Sequence, residues 1–531
     1  MGSCERSAAA GDAGLAVKCI NGTYIGVKEG DVISHRGIPY VGEQPAGELR
    51  WKPPVPFEED GGTYPAVEYG YVPCQVTSKD PTTAKGPQSE GCLYLNVFRN
   101  ISDGNTSKPV MVFIHGGSFE CGATSQSVYE GKYLVRDNPD VVLVTVEYRV
   151  GLFGFFHLSH LPDGEEYKEA GNLGILDQVM ALRWIHENIR AFGGDPDNVT
   201  IFGESAGGCS VTVLAMIPQA RQYFKRVIAQ SGTPAFTRDV EEARAVADRV
   251  LEKTGCRTVA ELKKLSAKQL LDATDPFNTW AERDGTLIPL DPYADYENGS
   301  TRDLEFMVGF DKDESRQFVC TMGVRTFEEF MGGRYDERQA AFPKEDREAS
   351  EKILEEYREK YGHDHDFEQF YNQMDFINPA VRLADAHVAG GGRAYMYYWT
   401  QECVPEEELV RRGMEPGSLI SFGDGGIPLL ACHGVELCTV FNNREQMNAA
   451  QVFEESFSRQ VQRMWINFAK CGDPSVPPSE SPTGKAVAWD AYTPADPNVM
   501  VLDEKGTAES ADVLDRVLDR QIYPFMKYYV K

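Results

Sequence analysis

The chain has 531 residues, a mass of 59.1 kDa and a formal net charge of −28. So large a negative charge disfavours binding to nucleic acids and to anionic membrane surfaces. No apolar run approaches the roughly 18 residues of a membrane-spanning helix, so the sequence predicts no transmembrane segment.

The N-terminal segment carries no recognisable targeting signal. Residues 1–17 lack the basic region and the apolar core of a secretory signal peptide. We therefore expect a cytoplasmic protein, unless an export signal has been removed. The twelve cysteines form no CxxC pair, which disfavours structural zinc, and we expect neither a metal nor a cofactor.

Continuous apolar runs predict buried strands in the first half of the chain. The runs at 110–114, 141–146 and 199–202 do not alternate with polar residues, as expected for a sheet covered on both faces. A helical stretch at 178–188 lies between the second and the third run, which gives the β-α-β order of a parallel sheet. The sequence thus predicts an α/β protein with a large, mostly parallel central sheet and helices on both faces.

The first of these strands is followed by His115-Gly116-Gly117-Ser118-Phe119. Small residues there let backbone N–H groups approach the carbonyl oxygen of a substrate, as in the HGGG-type oxyanion motif of esterases. From these residues alone, a turn that merely ends the strand is the other interpretation.

The segment 203–207 reads Gly-Glu-Ser-Ala-Gly and stands between the third strand and an apolar helix predicted from residue 209 to 216. A sharp turn from strand to helix needs very small residues two places before and two places after its apex, because a Cβ there would collide with neighbouring backbone. The apex residue is strained, and its side chain is pushed into open space. The pattern predicts a nucleophile elbow with Ser205 at its apex and the N–H of Ala206 as an oxyanion donor. A serine that only caps the helix is the alternative.

Two charged helical segments, near 236–277 and near 327–367, interrupt the strands in the second half of the chain. No internal repeat or low-complexity linker divides the sequence, so we expect residues 1–531 to form a single catalytic domain. The two segments are then cap insertions beside the active site.

A catalytic carboxylate is expected after the strand predicted at 306–310, since functional groups gather at the carboxyl ends of strands in open α/β sheets. Asp311, Asp313 and Glu314 all follow this strand, and spacing does not choose among them. The selected carboxylate would fix the tautomer of a catalytic histidine and stabilise its imidazolium form.

The base should follow the nucleophile and the acid in the chain, which leaves four of the nine histidines. His363 and His365 close a very acidic helical stretch and are expected in solvent. His387 lies in a predicted helix, on a partly exposed face. His433 follows the apolar residues 428–432 and precedes a glycine, as in a loop that delivers an imidazole to a pocket. We therefore expect His433 to be the base.

Further motifs run in order along almost the whole chain. They are RGIPY at 36–40, EGCLYLNV at 90–97, YRVG at 148–151, NIRAFGGDP at 188–196, QSG at 230–232 and WINFA at 465–469. With the elbow and the histidine segment, these motifs make the sequence similar to the type-B carboxylesterases, the family that includes the cholinesterases and neuroligins. The resemblance is to bacterial-type carboxylesterases in particular. Gly91 departs from the pattern, because the family has an aspartate there.

This resemblance implies an α/β-hydrolase fold and assigns the roles that spacing leaves open. It implies that Glu314 is the acid of a triad with Ser205 and His433. It also implies that the N–H groups of Gly117 and Ser118 donate to the oxyanion. Ser118 stands where the family has glycine; its N–H is retained, and its hydroxymethyl group would narrow the pocket.

The resemblance also implies supporting roles for several neighbours of the triad. Gly116 belongs to the oxyanion motif, and Ser231 would join the hydrogen bonds around Glu314. Glu204 would either bias the pocket against anions or be a structural carboxylate. Cys74 and Cys92 match the pair that closes the first disulfide loop of the family, a bridge that a reducing cytoplasm would keep open.

The sequence therefore predicts a serine carboxylesterase that hydrolyses small-molecule esters through an acyl-enzyme. The alternatives are a neuroligin-like binding protein, and a cholinesterase or thioesterase specificity on the same triad. The presence of all three triad residues favours the enzyme over the binding protein. A cholinesterase holds a quaternary ammonium over a tryptophan, but the matching segment here, 75–91, contains no aromatic residue.

Overall fold

The computed structural model describes residues 15–76, 86–102, 106–275, 279–318, 367–404, 430–443 and 453–519, with isolated positions at 84, 104 and between 348 and 359. Within these ranges the strands are β1 Ala16–Cys19, β2 Gly22–Ile25, β3 Val27–Glu29, β4 Val32–Pro39, β5 Thr63–Pro65, β6 Val72–Pro73, β7 Gln88–Ser89, β8 Tyr94–Asn100, β9 Lys108–Ile114, β10 Val142–Val146, β11 Gly194–Glu204, β12 Arg226–Gln230, β13 Thr237–Arg238, β14 Ala281–Glu282, β15 Glu305–Asp311, β16 Arg393–Trp399, β17 Val499–Leu502 and β18 Ala508–Ser510.

The α-helices of the same ranges surround these strands. They are α1 Lys132–Asp137, α2 Gly151–Gly154, α3 Leu173–Asn188, α4 Ala206–Met216, α5 Pro218–Arg221, α6 Val240–Thr254, α7 Val259–Leu262, α8 Ala267–Ala273, α9 Pro292–Glu297, α10 Phe367–Tyr371, α11 Asn378–Ala389, α12 Leu437–Phe441, α13 Glu455–Cys471 and α14 Val513–Val517. A π-helical turn, Asn372–Ile377, joins α10 to α11.

An eleven-stranded sheet organises the protein. Its order is β18-β17-β16-β15-β12-β11-β9-β10-β8-β4-β3. The strands from β17 to β10 in this order are all parallel, while β18 at one edge and β8, β4 and β3 at the other pair antiparallel to their neighbours. The predicted large, mostly parallel sheet is confirmed.

The central strands are apolar throughout because both of their faces are buried. On β9, Val110, Val112 and Ile114 join one core cluster, whereas Met111 and Phe113 join another on the opposite face. Helices α3 and α4 contribute to the first cluster, and α1, α12 and α13 to the second. Successive side chains of a strand point to opposite faces of the sheet, so a strand covered on both sides contributes alternate residues to two cores.

A buried ion pair connects the YRVG motif at 148–151 to helix α3. Arg149 donates from Nε to Asp177 Oδ2 at 2.7 Å and from Nη2 to Asp177 Oδ1 at 2.6 Å. Both side chains are buried, and such two-pronged guanidinium–carboxylate contacts are among the stronger hydrogen bonds in proteins. The Arg149–Asp177 ion pair therefore holds the loop after β10 against α3.

The cap segment expected near 236–277 forms helices α6, α7 and α8 in its described part. Ala247, Val250, Val259 and Leu262 from these helices pack in a third core cluster with Trp51. The second cap segment, near 327–367, lies outside the described residues apart from the start of α10 and a few isolated positions, as do His363 and His365.

The prediction of a partly exposed His387 is wrong. This residue lies on α11 with its ring buried, where Nδ1 is 2.9 Å from Thr301 Oγ1 and Nε2 is 3.2 Å from Leu304 O. Burial lowers the pKa of His387 to about 4, so the ring is neutral. The neighbouring residues along the helix did not reveal this, because the burial comes from the chain around Leu304.

Cys74 and Cys92 are both buried free thiols, so the disulfide that the resemblance allows is not formed. Among the residues described, every helix is too short or too polar to cross a bilayer.

Candidate active site

Ser205 occupies the turn between β11 and α4 in a conformation that few non-glycine residues adopt. Its backbone angles are φ 59° and ψ −122°, a strain that costs about 1–3 kcal/mol. Two backbone hydrogen bonds hold it there: Ser205 N donates to Gln230 O at 2.9 Å, and Ser205 O accepts from Cys209 N at 2.9 Å. The strand–turn–helix geometry of the elbow is thus present.

The glycines around Ser205 are required by close backbone contact. A Cβ on Gly207 would lie 2.0 Å from Ile114 O, and one on Gly203 would lie 2.5 Å from the carbonyl carbon of Gly207. A Cβ on Gly232 would lie 2.0 Å from Ser205 O. Strands β9 and β12 can therefore approach the elbow only because these side chains are missing.

His433 contacts Glu314, which is one of the three acids left open by spacing. His433 Nδ1 lies 2.6 Å from Glu314 Oε2, and both side chains are buried. Glu314 Oε1 also accepts the Asp311 N–H at 2.8 Å. The other two acids bind backbone instead: Asp311 Oδ2 accepts from Gly434 N at 3.0 Å, and Asp313 Oδ2 accepts from Ala431 N at 3.2 Å.

The other nitrogen of His433 lies beside Glu204. The Nε2–Oε1 distance is 3.0 Å, close enough for an ion pair but without the alignment of a hydrogen bond. Within the part of the chain that is described, Nε2 makes no hydrogen bond to the Ser205 hydroxyl or to any other group. Burial opposes a charge on the ring, but the carboxylates of Glu204 and Glu314 outweigh it and raise the pKa of His433 well above its usual range.

The loop expected to bind an oxyanion lies against the elbow. Gly117, Ser118 and Phe119 have φ of 109°, 56° and 59°. A Cβ on Gly116 would lie 2.7 Å from Glu204 O. The N–H groups of Gly117 and Ser118 make no hydrogen bond to a described residue.

Ala206 supplies the third expected donor. It opens α4, and the first N–H groups of a helix have no partner within it. The three N–H groups expected to bind the oxyanion are therefore available to a ligand.

Ser231 does not join the Glu314 network in this structure. Its N–H donates to Gly309 O at 3.0 Å, but its buried hydroxyl makes no hydrogen bond to a described residue. The hydrogen bond that the resemblance implies is therefore not formed.

A pocket opens on Ser205. It is lined mostly by aromatic side chains, and its lining residues are Ser118, Phe119, Ser205, Ala206, Phe236, Trp280, Phe318, Tyr371, Asp375 and Phe376. The rings of Phe318 and Phe376 also lie 5.1 Å and 4.8 Å from the ring of His433, measured between centroids. Ser205 thus lines a mainly apolar cavity, and two of the aromatic walls of that cavity contact the His433 ring.

Two features of this site were not predicted from the sequence. The aromatic lining comes from residues far apart in the chain, and aromatic residues in ordinary core positions show the same local pattern. The buried acid Glu436 also went unassigned, although it lies in the same short motif as His433. A carboxylate three residues after the predicted base was the available hint.

Comparison with known proteins gives consistent results. The model of the carboxylesterase family matches residues 16–517. The para-nitrobenzyl esterase of Bacillus subtilis (strain 168) is 32% identical over 511 residues, which cover 91% of this chain and 94% of that protein. Carboxylesterase 1D of Rattus norvegicus is 31% identical over 487 residues (83% and 81%), and the acetylcholinesterase of Bungarus fasciatus 29% over 528 residues (92% and 82%).

Solved structures of similar proteins share the fold. A carboxylesterase of Geobacillus stearothermophilus superposes with a TM-score of 0.77 at 31% identity, covering 95% of this chain and 99% of that one. A thermophilic PNB esterase gives a TM-score of 0.79 at 29% identity, with 97% and 100% coverage.

The Glu204 carboxylate should control the pH at which His433 can act as a base. A histidine that removes the Ser205 proton must be neutral, so activity falls as the pH drops through its raised pKa. Because Glu204 raises that pKa, Glu204→Gln should move the acid limb of the kcat/KM–pH profile for p-nitrophenyl acetate to lower pH. Glu48→Gln, at an exposed distant site, is the control and should leave the limb in place. A shift of the Glu204→Gln limb to higher pH would contradict the assignment.

Proposed function

Because the chain belongs to the carboxylesterase family, and is therefore a carboxylic-ester hydrolase, we propose that Ser205 is its nucleophile, His433 its general base and Glu314 the acid that orients His433. We further propose that the N–H groups of Gly117, Ser118 and Ala206 form the oxyanion hole. Small neutral esters are the substrates, and the enzyme needs no cofactor.

One observation carries the proposal. Ser205, Ser118 and Ala206 line one pocket. Two aromatic residues of that pocket contact the ring of His433, whose Nδ1 lies 2.6 Å from Glu314. A nucleophile, an oriented base and unpaired N–H donors around one cavity are the parts that acyl transfer requires. Most of the lining is apolar, which suits a neutral acyl or alcohol group.

The proposed reaction has two half-reactions. Ser205 Oγ attacks the ester carbonyl carbon while His433 Nε2 takes the hydroxyl proton, and the oxyanion is held by backbone N–H groups. The tetrahedral intermediate collapses, His433 gives the proton to the leaving alcohol, and an acyl-enzyme remains. Water then repeats the sequence and releases the carboxylic acid.

His433 must turn before it can take the Ser205 proton. In the structure Nε2 faces Glu204 at 3.0 Å, so the imidazole moves from this carboxylate towards the Ser205 hydroxyl during the first step. Glu204 then competes with Ser205 for Nε2, and it stabilises the imidazolium once the proton has been transferred.

The neuroligin-like alternative has no support from the comparisons, whose named relatives are esterases. A choline specificity is disfavoured by two observations. The segment 75–91 has no aromatic residue, and the guanidinium of Arg238 lies 5.2 Å from the centre of the Trp280 ring in the pocket wall. One cation therefore already occupies a face of the pocket tryptophan.

The chain is proposed to act as one catalytic domain over residues 1–531, with cap insertions near 236–277 and 327–367. Phe236, at the start of the first segment, reaches the pocket wall, which supports a role for this segment in substrate selection. We also propose a cytoplasmic protein, because Cys74 and Cys92 are unpaired, as thiols remain in a reducing compartment.

Ser205→Ala should lower kcat for p-nitrophenyl esters by roughly 10⁵–10⁶-fold, because the members of a triad act as a unit. A fluorophosphonate probe, read by intact mass, should label the wild type once and the variant not at all. Ser159 is the matched control, because its hydroxyl also lies near a histidine, 3.3 Å from His157 Nε2. Labelling that survives Ser205→Ala but is lost in Ser159→Ala would move the nucleophile to Ser159.

Glu314→Gln should lower kcat by roughly 10³–10⁴-fold, since an amide neither stabilises the imidazolium nor enforces the correct tautomer. Asp313 directly precedes Glu314, and its side chain accepts a hydrogen bond from Ala431 N. Asp313→Asn should lower kcat only slightly. Steady-state kinetics on one p-nitrophenyl ester compares the two variants. Near-wild-type turnover in Glu314→Gln would show that the acid has been assigned wrongly.

The enzyme should prefer neutral esters to choline esters. With butyrylcholine and its uncharged isostere 3,3-dimethylbutyl butyrate, kcat/KM should be higher for the neutral ester. A preference of tenfold or more for the charged ester, about 1.4 kcal/mol in the transition state, would reveal a cation site in the pocket. Both esters carry the same acyl group, so the acyl pocket does not affect the ratio.

A further inference from the structure

Two buried carboxyl groups lie directly behind His433 and have no part in the proposed reaction. Asp311 ends β15, Glu436 follows His433 by three residues, and both side chains are fully buried. Each has one oxygen in a hydrogen bond: Asp311 Oδ2 accepts the Gly434 N–H at 3.0 Å, and Glu436 Oε1 accepts from Gln230 Nε2 at 2.9 Å. Gln230 is itself held by Trp465 Nε1 at 3.3 Å.

The second oxygen of each carboxyl group has no hydrogen-bond donor among the described residues. Asp311 Oδ1 and Glu436 Oε2 are buried, and neither accepts a hydrogen bond from a donor group of the described residues. The two carboxyls act on each other's charge, and a proton held between them would give both of these buried oxygens a hydrogen bond. An ionised carboxylate can only accept, so a hydrogen bond between two carboxyls requires that one of them is protonated.

The surroundings also require a proton at this position. The titratable groups that interact with the pair include Glu204, Glu314, Cys432, Cys438, Tyr129, Tyr397 and Tyr398. His433 adjoins the pair through Glu314 and Gly434. Charged forms of all four carboxyls and His433 would leave three net negative charges in a region without solvent. Like charges this close and this buried do not all ionise.

We propose that Asp311 and Glu436 share one proton across a carboxyl–carboxylate hydrogen bond, and that protonated Asp311 is a positioning residue for the His433–Glu314 pair. Asp311 joins the two members of that pair: its N–H binds Glu314 Oε1 at 2.8 Å, and its side chain binds the N–H of Gly434 beside His433. The positioning role of Asp311 rests on the proposed triad, whereas the shared proton does not.

Asp311 is the donor of the shared hydrogen bond. Burial first, and then the charges of Glu436 and Glu314, raise the pKa of Asp311 well above its usual range. Burial and Glu204 raise the pKa of Glu436 to about 7, while the hydrogen bond from Asp311 opposes that rise. A neutral Asp311 leaves only Glu204 and Glu314 as anions in contact with His433, and it keeps the Gly434 loop attached to β15.

Infrared difference spectroscopy tests the proton directly. The wild type at neutral pH should show the C=O stretch of a protonated carboxylic acid, and both Asp311→Asn and Glu436→Gln should lose it. Asp313→Asn is the matched control: Asp313 also accepts an N–H of this loop, from Ala431 at 3.2 Å, and its substitution should leave the band unchanged. A band that survives Asp311→Asn overturns the proposal.

Kinetics tests the positioning role. Asn is permanently neutral, can donate to Glu436 and can accept from Gly434, so it mimics protonated aspartate. Asp311→Ala should lower kcat by about tenfold or more at an unchanged KM, and Asp311→Asn should restore most of that loss. An Asn variant as impaired as the Ala variant would show that an ionised Asp311 is needed and would overturn the proposal.

The spectroscopic result does not depend on activity or on whether Asp311→Ala folds. A failed triad assignment would appear separately, as turnover retained by Ser205→Ala, and would leave the infrared result intact. Loss of the band with an unaffected kcat in Asp311→Ala would overturn the positioning role while upholding the shared proton.

Discussion

The absence of side chains at a few glycines is the constraint on which the site depends. Gly207 and Gly232 allow the backbone of the elbow to lie against β9 and β12, at distances where any Cβ would overlap a carbonyl oxygen. This contact holds Ser205 at φ 59° and brings the loop after β9 alongside it. The packing of the central sheet thus maintains the backbone strain at Ser205. A turn without this packing could not maintain it.

Parallel strands explain why distant residues meet at this edge. Strands β9, β11 and β15 run in the same direction, so the loop at Gly116, the elbow at Ser205 and the acids after Phe310 all leave the sheet at the same end. His433 comes from a loop that crosses this end and is held by backbone hydrogen bonds to Asp311 and Asp313. The three strands position the loop at Gly116, the elbow at Ser205 and the acids after Phe310. The loop that crosses this end brings His433 to them.

Electrostatics at this end is dominated by buried acids. His433 lies between Glu204 and Glu314, and Asp311 and Glu436 lie behind it. The two anions that touch the ring favour its charged form, whereas the apolar pocket in front favours neutral ligands. In the proposed reaction these carboxylates are in place before the proton is transferred, so they would stabilise the imidazolium as it forms.

The sequence by itself determined the sheet and the elbow and predicted His433 as the base, because each depends on residues that are close together in the chain. Buried strands appear as continuous apolar runs, and the turn at Ser205 needs glycines at fixed offsets. Only the tertiary structure shows which of Asp311, Asp313 and Glu314 meets His433, that His387 is buried, and that Glu204 lies beside the other nitrogen of the His433 ring. Those outcomes depend on contacts between segments more than eighty residues apart, and local sequence does not encode the direction in which each side chain points.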